Sequence, residues 1–168
     1  MKKLSALLKD FLGYFKKVRF ITEAAVIAAI YAALTIILAP ISYGMVQVRI
    51  SEALTILPYF TPAAIPGLFV GCIIANIVGG NGLIDIVFGS LATLVAAILS
   101  YKMPKRYFVP VPPIIINAVV VGAVLSYVLE LNLLACMGWV ALGQAVACYG
   151  LGYPLLLQLE KHKQRIFE

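Results

Sequence analysis

Residues 21–38 read ITEAAVIAAIYAALTIIL, a run apolar and long enough to match the roughly 20 residues with which a helix crosses the hydrocarbon layer of a bilayer. It closes on Ala39-Pro40, where proline brings no backbone donor and its ring collides with the preceding turn, so the helix cannot continue. This stretch decides the fold class because the rest of the chain repeats its character. Residues 63–78, 83–101, 111–129 and 133–157 are further apolar runs. Between them lie a Pro58-Tyr59-Phe60-Thr61-Pro62 reversal, a glycine-rich turn at 79–82 and a Pro110-Val111-Pro112-Pro113 entry, all built from residues that punctuate helices. A sixth run, 48–60, is too short for a comfortable upright span, and is expected to be tilted, broken or sheltered by its neighbours.

Composition agrees. Hydrophobic residues make up 63% of the 168 and charged residues 12%, against about 45–50% apolar in a soluble domain, and the mean hydropathy is +1.04. Six such segments leave little chain over. The expected fold is an all-α integral membrane protein, a compact bundle of six transmembrane helices without room for a soluble catalytic domain. It divides into a basic amphipathic N-terminal segment (1–20), a six-helix membrane domain (21–157) and a basic tail (158–168).

The net charge of +6 does not indicate nucleic acid, because the basic residues form three flanking clusters: Lys2/Lys3/Lys9/Lys16/Lys17/Arg19, Lys102/Lys105/Arg106 and Lys161/Lys163/Arg165. Loops 39–46 and 130–135 hold no Lys or Arg, so the positive-inside rule places both termini in the cytoplasm. In residues 1–17, Leu4, Leu7, Leu8, Phe11, Leu12 and Phe15 recur at helical spacing among basic positions. Two readings are open: a helix lying on an anionic leaflet, or a simple topogenic flank. Lys9 and Asp10 interrupt what would be a signal peptide's apolar core. Cys72, Cys136 and Cys148 lie in apolar runs without C-x-x-C spacing, and His162 stands in the charged tail, which argues against zinc or a disulfide framework.

Against this background Arg49, Glu52 and Asp85 stand out, because an ionisable side chain at membrane depth is costly and marks a functional site by default. Arg49 and Glu52 are three apart, on one helical face; Asp85 follows the 79–82 turn. Each has a bland reading. The first two can neutralise each other, and Asp85 can cap a helix N-terminus. Asn76, Asn117 and Gln144 can serve as interhelical hydrogen-bond glue, while Trp139, Tyr149 and Tyr153 can be interfacial belt residues. Ala24/Ala28/Ala32 and Ala25/Ala29/Ala33 form two adjacent small-residue rows, a face that either receives another helix or packs internally. The sequence holds no P-loop, no serine or cysteine with a nearby histidine and no metal-ligand cluster. It is therefore not expected to be an enzyme, and any uphill transport must draw energy from a partner or an ion.

Three segments carry a family likeness: Val48-Arg49-Ile50-Ser51-Glu52-Ala53-Leu54-Thr55-Ile56-Leu57-Pro58, Ala64-Ile65-Pro66-Gly67-Leu68-Phe69-Val70-Gly71-Cys72, and Ile84-Asp85-Ile86-Val87-Phe88-Gly89-Ser90-Leu91-Ala92-Thr93. Over residues 15–157 the chain resembles the QueT family, substrate-binding S components of energy-coupling-factor transporters for queuosine precursors. The resemblance implies a multi-pass protein of the prokaryotic inner membrane that binds a 7-deazaguanine, preQ1 or queuine, on its outer side. It then docks on a membrane-embedded T component driven by two ATPases, so ATP is used by partners and no cofactor is bound by this chain. On the same basis the alanine face of the first helix meets the T component.

The chemistry of such a base is compatible with the residues. Its N1–H and 2-amino group are adjacent donors that a carboxylate accepts together, and an aminomethyl substituent adds a cation. Glu52 and Asp85 suit those two tasks. Arg49 would orient Glu52 or donate to the base carbonyl, Asn76 and Asn117 would add amide contacts, and Tyr43, Trp139 or Tyr149 would stack on the ring. Two other classes fit the same residues: an ion-coupled secondary transporter of another small cation or vitamin, and a structural membrane subunit whose charges pair with a neighbour.

Overall fold

Helix α1 (Val18–Ile37) ends in a single further turn, Ala39–Ser42, that starts with proline in its first positions. In the computed structural model, which describes residues 18–43, 47–80 and 82–162, an extended approach through Arg49 leads into a 3-10 helix, Ile50–Tyr59. Then follow α2 (Ala64–Val78), α3 (Gly82–Tyr101), α4 (Val111–Leu129) and α5 (Leu133–Lys161). No strand occurs among the described residues. Two helices are locally underwound into π geometry, α3 at Asp85–Gly89 and α5 at Val146–Gly152.

The short run at 48–60 is resolved by its geometry. A 3-10 helix rises about 2.0 Å per residue against 1.5 Å in an α-helix, so its 10 residues reach about 20 Å rather than about 15 Å. That is still short of the hydrocarbon layer. Shelter does the rest: Ser51, Glu52, Ala53, Thr55, Ile56 and Pro58 are buried, and α1, α2, α3 and α5 all pack around the segment. Four helices, α1, α3, α5 and α4 with the turn before it, are long and apolar enough to cross a membrane, whereas α2 is apolar but 15 residues long.

Helices α1 and α2 meet backbone to backbone. A Cβ on Gly67 would stand 2.8 Å from the Ala24 carbonyl oxygen, and one on Gly71 2.8 Å from that of Ala28, so only glycine permits this approach. The apolar core centres here on Ile27, Tyr31, Ala64, Ile65, Leu68 and Cys72.

A second buried cluster, Ile56, Val109 and Leu156 with Tyr59, Phe60 and Met103 against it, ties the end of the 3-10 helix to the α3–α4 loop and the end of α5. Arg106 and Glu160 pair at 2.8 Å across the same end. Glu23 joins Arg19 at 2.8 Å and accepts from Thr61 Oγ1 at 3.0 Å. The described basic residues Arg19, Lys102, Lys105, Arg106 and Lys161 therefore gather at one end, and Arg49 lies apart near the other. α1 begins at Val18 and α5 runs to Lys161, each a little beyond the expected membrane domain. The amphipathic segment before Val18, Gly44–Val46, Asn81, and Lys163 and Arg165 of the tail lie outside the described residues.

Candidate functional site

The start of the 3-10 helix carries the unusual charges. Arg49 is still extended, at φ −80° and ψ 99°, while Glu52 lies in the first turn. Glu52 is 0% exposed and Arg49 4%, and burying either is costly unless it is bonded.

Glu52 is bonded on both oxygens. Tyr31 of α1 donates its hydroxyl to Oε1 at 2.5 Å, and Asn117 of α4 donates Nδ2 to Oε2 at 3.2 Å. A carboxylate offers about four lone-pair sites, so it retains acceptor capacity. Thr35, one turn beyond Tyr31, bonds Ser51 through their hydroxyls at 2.6 Å. Helix α1 is thus joined twice to the first turn of the 3-10 helix.

Arg49 belongs to a different network. Its Nη2 donates to Asn76 Oδ1 of α2 at 3.0 Å, its Nε reaches the Ser42 carbonyl at 3.4 Å, and its guanidinium lies 5.4 Å from the Tyr43 ring centre. Asn76 in turn donates Nδ2 to the backbone carbonyl of Asp85 at 3.1 Å. The direct Arg49–Glu52 neutralisation allowed by their spacing does not form: among the described residues the ion pairs are Arg19–Glu23 and Arg106–Glu160. The extended backbone at Arg49 sends its side chain to α2 instead of over the helix.

Asp85 does not cap its helix. Gly80 at φ +67° and Gly82 at φ +83° make the turn, and the first helical turn, Gly82–Ile84, precedes the aspartate. The Asp85 carboxylate is half-buried and makes no hydrogen bond or ion pair among the described residues. It opens the π segment, a helix irregularity often found where a side chain is re-aimed for function.

The structure therefore buries two neighbouring networks at the start of the 3-10 helix, Glu52 with Asn117 and Arg49 with Asn76, the second with the Tyr43 ring against the guanidinium and Asp85 joined through its backbone. Tyr43 also donates its hydroxyl to the Ala75 carbonyl at 2.7 Å. Trp139 is half-buried on α5, next to inward-facing Val140, and Gln144 is buried one turn further on. Tyr149 does not join: it is exposed, and its hydroxyl donates to the Tyr107 carbonyl at 2.9 Å, at the basic end. Three buried side-chain atoms lack a hydrogen-bond partner among the described residues: Ser42 Oγ, Ser90 Oγ and Asn117 Oδ1.

Sequence reasoning missed Tyr31 and Thr35. The signal was present, because both are polar and lie at helical spacing from Ala28, which is buried with them on the inward face of α1. The two alanine rows also separate. Ala28 and Ala32 are buried and Ala24 half-buried against α2, whereas Ala25, Ala29 and Ala33 are exposed. Only the second row is exposed along its whole length.

Membrane-length helices enclosing an arginine, a glutamate and two amides define a polytopic membrane protein with a polar site inside its apolar bundle. The model of the QueT transporter family matches residues 21–161, and the chain belongs to that family. One relative, the queuosine precursor transporter QueT of Lactococcus lactis subsp. cremoris (strain MG1363), is 35% identical over 89 residues, 52% of this chain and 52% of the relative. The matched stretch thus spans about half of that relative's length. No solved structure matches the chain.

Proposed function

We propose that this transporter-family protein is the substrate-binding component of an energy-coupling-factor transporter, taking up a queuosine precursor of the 7-deazaguanine class while partner subunits hydrolyse ATP. The observation that carries the reading is Glu52: a carboxylate fully inside an apolar bundle, held from two sides by Tyr31 and Asn117. Such an acceptor suits the adjacent N1–H and 2-amino donors of a guanine-like ring. Arg49, steadied by Asn76, donates to the ring carbonyl. The unpaired Asp85 carboxylate takes the aminomethyl cation, and Tyr43 or Trp139 covers the ring face.

In this reading six segments cross the bacterial inner membrane, the short 3-10 helix among them. The basic end, with both termini, faces the cytoplasm, and the site opens outward. Ala25, Ala29 and Ala33 of α1 present a flat small-residue face to the membrane-embedded partner.

Calorimetry of preQ1, queuine and guanine on the detergent-purified chain tests the assignment. Tight binding of a deazaguanine with guanine excluded supports a solitary capture component. Absence of binding by all three removes the substrate and leaves a structural subunit as the better reading. Uptake that survives loss of every ATPase but collapses with the ion gradient would instead indicate a secondary transporter.

A further inference from the structure

Asn117 is 2% exposed and sits on α4 with its amide divided between two fates. Nδ2 donates to Glu52 Oε2 at 3.2 Å, and this fixes the amide's orientation, because the reverse would set its oxygen against a carboxylate oxygen. Oδ1 is left as a buried acceptor without a partner. Native interiors rarely leave such an atom unbonded, because desolvating it is unfavourable. Ser42 and Ser90 also leave a side-chain oxygen without a partner, but a serine can change its χ1 rotamer without giving up a side-chain bond. The amide cannot turn without giving up Glu52.

The same contacts say where acceptor capacity remains. Tyr31 takes one lone-pair site of Glu52 Oε1 and Asn117 one of Oε2, so each carboxylate oxygen keeps one acceptor position, and Asn117 Oδ1 adds another on the Asn117 side. Two adjacent acceptors call for a ligand edge with successive donors. A guanine-type edge has three, the ring N1–H and both hydrogens of the 2-amino group. A carboxylate takes the first and the nearer amino hydrogen. The second amino hydrogen points onward along the edge and requires an acceptor of its own.

We propose that Asn117 is a specificity-determining residue whose Oδ1 accepts this second amino hydrogen, making a 2-amino group obligatory in the ligand. The inference rests on the 7-deazaguanine reading given above and extends it to the group that is read. A hypoxanthine-type ring, lacking the amino group, leaves both Asn117 Oδ1 and part of Glu52 unpaired in a buried site. Sites built around a ligand's hydrogen-bonding group reject analogues without it far more strongly than apolar pockets discriminate size.

The test compares preQ1 with its 2-deamino analogue by calorimetry on the full chain in detergent. Wild type is expected to lose about a hundredfold or more in affinity, since two buried acceptors are left unpaired and each is worth about tenfold or more. In Asn117→Ala that ratio is expected to shrink several-fold. Tyr31→Phe, which leaves Oδ1 in place, is expected to weaken both ligands alike and preserve the ratio. A ratio unchanged in Asn117→Ala overturns the assignment while leaving deazaguanine binding intact; failure of wild type to bind preQ1 overturns both. Should Asn117→Ala not fold, wild type alone decides with a 2-methylamino analogue, in which one amino hydrogen is replaced. Weakened binding supports the role of the second N–H, and undiminished binding overturns it.

Discussion

Glu52 is a buried charge in an apolar bundle and, in the proposed function, the acceptor that binds the ligand. Its burial is tolerated because Tyr31 and Asn117 each supply a donor. Tyr31→Phe removes one without leaving a large cavity, and the orphaned carboxylate oxygen is expected to lower stability by about 1–3 kcal/mol, read as a lower thermal midpoint in detergent. Glu52→Gln can still accept from Asn117 and turn an N–H to the Tyr31 hydroxyl, which accepts it, but it loses the charge and one of the two acceptor oxygens offered to a ligand. Binding of preQ1 is expected to fall more than about tenfold while the protein stays folded; wild-type affinity in that variant would remove Glu52 from the site. Asp85 gives a sharper contrast. Asp85→Asn is expected to weaken preQ1, which carries the aminomethyl cation, by about tenfold or more, and to leave an analogue without that cation unchanged. Equal losses for both ligands would show that Asp85 acts on the bundle and not on the substituent. At this scale Arg49, Glu52 and Asp85 were legible because charges are conspicuous among apolar residues. Tyr31 was not, since a tyrosine in a membrane run attracts no notice until its helical register with Ala28 is followed inward.

Among the elements, α1 presents two different faces, and the proposed function gives each its own duty. The inward face packs on the Gly67 and Gly71 backbone of α2 and bonds the 3-10 helix through Tyr31 and Thr35. The outward face shows Ala25, Ala29 and Ala33. The sequence announced both rows but could not rank them, because a helix that is apolar all round has no stripe to mark its inside. Ranking requires α2, whose glycines select the partner row. Two substitutions separate the duties. Gly71→Leu drives a side chain into the Ala28 carbonyl and Tyr31 and is expected to destabilise by several kcal/mol, abolishing folding and binding together. Ala29→Trp is expected to leave preQ1 affinity within about twofold, since the side chain points outward, yet abolish uptake in cells that hold the partner subunits. Normal uptake would mean that this face meets only lipid. Helix limits were mostly readable from Pro, Gly and the basic residues. The 3-10 and π geometries were not, because they answer to neighbours that the local sequence does not name: Arg49 reaching α2, and Asn76 reaching the Asp85 backbone.

For the molecule as a whole, charge asymmetry and site position define an axis. The described basic residues gather around the α3–α4 loop and the foot of α5, where Arg106 pairs with Glu160 and Tyr149 bonds the Tyr107 carbonyl. The Arg49 and Glu52 networks stand at the other end of the 3-10 helix from Tyr59 and Phe60, which pack at the basic end. If the basic end is cytoplasmic, as the positive-inside rule requires, the site meets the outer side and the chain can capture ligand before any partner acts. The three native cysteines are buried, which gives a quiet background for labelling intact cells with a membrane-impermeant maleimide. Leu131→Cys, in the exposed α4–α5 connection, is expected to react from outside. Lys105→Cys, in the α3–α4 loop, is expected to react only after the membrane is opened. The reverse pattern would invert the molecule, place the carboxylates nearer the cytoplasm and leave outward capture without a route. The expected orientation comes from the sequence alone, because it depends on where lysine and arginine fall along the chain. That the described basic residues meet at one end, opposite the buried charges, emerges only from packing.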